Sequence, residues 1–110
     1  MAEFADADNM ATVKTNIIKL QQALNYKGER IVVDTHQFFS EQQQRPITMY
    51  TVAKSVPSGR SSENVKLFTS ASQVHILYFL RDYWFYVNNL PIPQEDMEWN
   101  RVKERYGIKF

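Results

Sequence analysis

Residues 70–87, SASQVHILYFLRDYWFYV, decide the fold. Between positions 75 and 87 ten of thirteen residues are hydrophobic, and only His75, Arg81 and Asp82 interrupt the run. A helix apolar almost all the way round has to be covered from several sides at once. A bilayer span needs about 20 apolar residues. This run is shorter, carries two adjacent charges midway and stops at Asn88, Asn89 and Pro91, so it reads as the central helix of a globular domain. Ser70 with Gln73 three positions on matches a capping box, in which hydroxyl and amide each satisfy a free backbone N–H at a helix start. The helix is therefore expected over residues 70–89.

Upstream lies a β region. Residues 47–56, ITMYTVAKSV, alternate Ile47, Met49, Thr51 and Ala53 with Thr48, Tyr50, Val52 and Lys54, which predicts a strand with neither side cleanly polar. Residues 57–64, PSGRSSEN, gather the turn formers and are expected to form a long, mobile hairpin tip carrying Arg60, with a return strand over residues 65–69. Residues 30–39, RIVVDTHQFF, are β-branched early and predict a further strand. The polar stretch 40–46, closing on Pro46, is the expected loop between these two strands.

Farther out, Val13, Ile17, Leu20 and Leu24 recur at spacings of four, three and four, one face of a helix over residues 11–26 that Ile18 widens. Asn9 or Thr12 is the expected cap, and Gly28 offers a left-handed backbone after the end. Residues 1–10, with Glu3, Asp6 and Asp8 among small side chains, lack the basic and apolar regions of a secretory signal and are expected to be a frayed leader outside the fold. Downstream, Pro91 and Pro93 break the chain, and Gln94, Glu95 and Asp96 open a last helix that should reach Tyr106 and stop at Gly107, with Met97, Val102 and Tyr106 as its inner stripe. The expectation is an α+β domain over residues 11–110: helix, three-stranded antiparallel sheet, then two helices, with one layer of sheet packed on the aromatic-rich helix.

Charge and composition narrow the chemistry. Thirteen Lys and Arg against twelve Asp and Glu leave a formal charge of +1, too little to steer toward nucleic acid or an anionic membrane. With no cysteine there is no disulfide, no thiolate nucleophile and no cysteine zinc site, and the cytoplasm is the expected compartment. The only imidazoles, His36 and His75, stand in different elements, and a cation site from Asp34, Glu41 and Asp82 would have to draw on a strand, a loop and a helix. Asp34 and His36 share a strand face but have no nucleophile beside them, and Gly28, Gly59 and Gly107 are too far apart for a phosphate loop. Neither enzymatic activity, cofactor nor metal is expected.

Two binding readings remain. Either Phe79, Leu80, Tyr83 and Val87, or Leu77, Leu80, Trp84 and Val87, can form the inner face of the aromatic helix. Each choice leaves large rings over, so Tyr78, Arg81, Phe85 and Tyr86, joined by Trp99, are the expected contact residues for another protein or a second copy of the chain. The alternative is a nucleic-acid surface. The element order resembles that of double-stranded RNA-binding domains in topology, although the turn before the aromatic helix, Ser70 to Gln73, lacks that family's lysine cluster. The three-stranded sheet can instead enter a major groove, where Arg30, Arg45, Lys54, Arg60 and Lys66 meet phosphates or bases and Tyr50 makes an apolar contact. Weak, salt-sensitive binding is expected from the phosphate contacts of Arg45, Lys54, Arg60 and Lys66.

Overall fold

The computed structural model describes residues 10–110. The expected leader lies outside the described residues except for Met10, which opens the first helix. The order is α1 (Met10–Tyr26), β1 (Ile31–Ser40), β2 (Arg45–Ser58), β3 (Ser61–Ser70), α2 (Gln73–Val87) and α3 (Met97–Tyr106). The strands form one antiparallel sheet in the order β1-β2-β3. This is the α+β architecture that the sequence predicts.

α1 buries Val13, Ile17, Leu20 and Leu24 as its spacing requires, whereas Ile18 is exposed and Thr12 lies inside the helix rather than at its cap. Gly28 takes φ 89° just past the helix end. The chain is then fixed to the sheet by the Asn25 amide, which accepts from the Ile31 N–H and donates to the Ile31 carbonyl. A side chain that satisfies both backbone groups of one residue sets where β1 begins.

The hairpins are tighter than the sequence suggests. The first turn is confined to residues 41–44, with Gln44 at φ 54°. The second is Gly59-Arg60 alone, between paired Ser58 and Ser61. Gly59, at φ 61°, supplies the positive φ that two-residue hairpin turns demand. The long tip expected over residues 57–64 is therefore mostly strand. Ser61 to Asn64 are poor strand formers by composition, but they lie on an edge strand, where polar side chains stay hydrated. Pro57 is tolerated because β1 pairs with β2 only as far as Lys54, leaving no strand among the described residues on that side to want its missing N–H. Where the register shifts at Val52/Ala53, Leu67 has no opposite residue, and both Leu67 and Phe68 reach the core.

The three helices share the sheet face that carries Ile31, Val52 and Phe68. α2 lies centrally: Ile76, Leu77, Phe79, Leu80 and Tyr83 are all buried, so the two candidate inner faces merge into one broad arc. The Phe68 ring stacks on Phe79 at 5.1 Å and meets Trp99 edge-on at 5.5 Å, locking sheet, α2 and α3 together. Two local readings need correction. The N-cap of α2 is Ser72, whose Oγ accepts from the His75 N–H, while the expected cap Ser70 accepts from the Ser72 N–H one turn earlier. In α3 the buried positions are Trp99 and Lys103, whereas Met97 and Tyr106 are exposed. Asp96 caps α3 through the Trp99 N–H at 2.9 Å, and Gly107 closes it in the left-handed region at φ 82°.

Between β1 and α2 stands Glu29. Its Oε1 accepts from the Tyr83 hydroxyl at 2.7 Å and from Lys54 Nζ at 3.3 Å. The Tyr83 hydrogen bond is the main force holding the Glu29 carboxyl below the usual range, with Lys54 adding to it and partial burial opposing. Burial, then the same hydrogen bond, pushes the Tyr83 hydroxyl well above its ordinary value.

Two outcomes follow from this packing. Leu80→Ala should cost about 2–5 kcal/mol in urea unfolding, since it removes a fully buried side chain at the centre of the core; a loss under about 1 kcal/mol would place the core elsewhere. For Glu29 the folded-state pKa is depressed, so its contribution is present above the unfolded-state value and is lost as pH falls through the folded one. Urea midpoints measured downward from about pH 5 should fall less steeply for Glu29→Gln and Tyr83→Phe than for the unsubstituted chain; identical slopes would show the hydrogen bond to be idle.

Candidate functional site

The adjacent charges of α2 define what is core and what is surface. Asp82 is 0% exposed. Its Oδ1 accepts from Arg81 Nε at 2.9 Å and lies 2.9 Å from Arg81 Nη2, while its Oδ2 accepts from Trp99 Nε1 at 2.9 Å and Lys103 Nζ at 2.8 Å. A carboxylate removed from water needs this density of donors. Two cations around one anion leave a surplus positive charge, and π faces meet it: the Arg81 guanidinium sits 4.7 Å from the centre of the Tyr78 ring and Lys103 Nζ 6.0 Å from that of Trp99. Three of the five expected contact residues thus belong to this inter-helix cluster. Arg81 is buried and Trp99 is 0% exposed, which removes both from the surface, and Tyr78 is half-buried beside them.

The other two lie at the C-terminal end of α2. Phe85 is half-buried against Trp84, with ring centroids 5.5 Å apart. Tyr86 is 57% exposed and packs at a tilt against Phe110 at 5.3 Å, and Phe110 in turn meets Phe79 at 5.5 Å and Tyr83 at 5.6 Å. Tyr86 is therefore the outer end of a ring network that continues into the core. Beside it opens a cavity of about 220 Å³ lined by Leu67, Phe79, Tyr83, Tyr106, Ile108 and Phe110, with Gly107 and Lys109 completing its wall. Tyr106, 44% exposed, rests edge-on against Phe68 at 5.0 Å. Sequence reading missed Tyr106 and Phe110 as site residues. The signal was the pair Ile108 and Phe110 just after the Gly107 cap, where a helix end commonly turns an apolar side chain back onto the core; here the Ile108 N–H returns to the Lys103 carbonyl at 3.0 Å.

The alternative set is dispersed. Arg45 and Arg60 lie toward opposite ends of β2, and the Arg45 guanidinium donates to Gln43 Oε1 at 3.1 and 3.0 Å. Lys54 turns to Glu29, and the Tyr50 hydroxyl accepts from Gln73 Nε2 at 2.7 Å on the helix side of the sheet. Lys66 pairs opposite Ala53 and faces the other side. These five side chains do not share one surface. Neither do Asp34, Glu41 and Asp82: the first two are exposed along the β1–β2 hairpin and the third is in the core. A larger cleft of about 420 Å³ lies at the opposite end of α2, beside Lys14, Tyr50, Ser72 and Gln73, and Tyr50 is the one candidate residue that lines it. Set against family models, curated proteins and solved structures, the chain matches none, and its functional reading rests on the geometry of its own residues.

Proposed function

We propose that this domain is a small non-enzymatic accessory or regulatory binding module that works through protein–protein contacts at the C-terminal end of α2. The observation that carries the reading is the tilted Tyr86–Phe110 ring contact at the edge of an aromatic-lined cavity of about 220 Å³. Interface energy concentrates in large rings set in or beside well-packed pockets, with weaker contacts around them excluding water. Tyr86 and Tyr106 supply exposed rings, and their ring contacts with Phe110 and Phe68 order them before a partner arrives, which lowers the entropy lost on binding. The cavity accepts an apolar side chain from the partner. With a formal charge of +1, recognition rests on shape and apolar contact more than on long-range attraction.

Replacing Tyr86 with a photo-reactive phenylalanine analogue in cells should give a discrete protein adduct. That adduct should be lost when Phe110→Ala is added, provided circular dichroism shows that variant folded, and the same probe at exposed Lys19 on α1 should give none. No adduct from position 86, equal adducts from both positions, or an adduct to nucleic acid would overturn the reading.

A further inference from the structure

Among the described residues nothing covers the second face of the sheet. Opposite the side that carries Val52 and Phe68, β2 presents half-buried Ile47, Met49 and Thr51, with Ala53 buried between its strand neighbours and with Val32 and Phe38 beside them on β1. The alternation is fixed by contacts: Thr51 Oγ1 lies 2.7 Å from Thr69 Oγ1 across the strands, and the His36 and Phe38 rings stack at 6.0 Å. An antiparallel sheet with one solvated face ordinarily turns a polar row outward, but this central row holds no charge. The charges stand to either side of it. Asp34 on β1 pairs opposite Thr51, and Lys66 on β3 pairs opposite Ala53. Both are exposed, and neither has an ion-pair partner among the described residues.

This layout is self-complementary. A two-fold axis running between the sheets and inclined about 15° to β2 places β2 across β2 and β1 over β3 of a second sheet, about 10 Å away. Asp34 of each copy then faces Lys66 of the other, displaced along the strand by two residues, roughly 7 Å, which a lysine stem spans. Both acid–base contacts form at once, flanking the Ile47, Met49, Thr51 and Ala53 row. Arg45, at the start of β2, stays clear of its counterpart because packed sheets cross at about 30° and their ends diverge. Three strands of about ten residues give a footprint of roughly 500 Å² per copy, the low end for a specific interface, which fits a dimer that comes apart on dilution.

We propose that the outward sheet face is a self-association surface on which a second copy of this chain packs sheet to sheet, pairing Asp34 of each copy with Lys66 of the other. It is independent of the contact assigned to α2. Sedimentation of the full chain from roughly 1 µM to 1 mM should show a reversible monomer–dimer equilibrium that weakens with added salt. Asp34→Lys and Lys66→Asp should each sediment as a folded monomer. Mixed in equal amounts they should dimerise again, because each variant then offers the charges the other needs, and Tyr86→Ala should dimerise like the unsubstituted chain. The proposal is overturned if the unsubstituted chain stays monomeric throughout, if either reversal alone still dimerises, if the mixture associates no better than its components, or if Tyr86→Ala abolishes the dimer.

Discussion

Asp82 has no contact with water, and the arrangement of both C-terminal helices answers to that fact. An ionised carboxylate in a protein interior is tolerated only when donors replace its hydration. Arg81 comes from its own helix, but the Trp99 indole and the Lys103 ammonium come from α3, so the anion is satisfied only when α3 is docked at one rotation and one height. Buried ion clusters seldom add much net stability, because desolvation offsets the attraction, whereas breaking one strands charge in the core. Their contribution here is positional. Asp82 fixes Trp99, Trp99 meets Phe68 edge-on, and the sheet is thereby tied to the helix pair.

What remains uncovered follows from that docking. α1, the sheet and α3 enclose α2 over most of its length, so rings that outnumber the needs of a small core are absorbed everywhere except at its last turn. There Tyr86 emerges, supported from beneath by Phe110. Among the described residues all helical cover is spent on one sheet face, and the other is left with an uncharged central row. The two proposed contact surfaces are thus the residue of one packing solution: a core that closes around α2 leaves one end of that helix and one side of the sheet.

Much of this architecture is legible before any coordinates. The α1 stripe, the central helix, the hairpin order and the Gly107 stop depend on local periodicity and backbone chemistry, which a linear reading captures. The misreadings share a different cause, dependence on distant partners. Ser61 to Asn64 look like a loop until their edge position is known. Ser70 and Ser72 are equivalent as cap candidates by composition, and the geometry of the β3–α2 corner chooses Ser72. Lys103 falls outside the expected stripe of Met97, Val102 and Tyr106, and Arg81 and Trp99 read as contact residues, because nothing in the linear sequence announces that Asp82 will be buried and will need all three. The dispersal of Arg45, Lys54, Arg60 and Lys66 likewise depends on strand length and register, which put neighbours in sequence at opposite ends or on opposite faces.

The claim that α3 is held by a fully buried anion is tested most directly by hydrogen exchange of the Trp99 indole N–H, followed by NMR in rising sub-denaturing urea. If Asp82 accepts that proton in the core, the indole exchanges only when the whole domain unfolds, with the same urea dependence as the backbone N–H of Leu80. Exchange that is fast, insensitive to urea and well ahead of Leu80 would show α3 leaving while the rest stays folded, and would contradict the account.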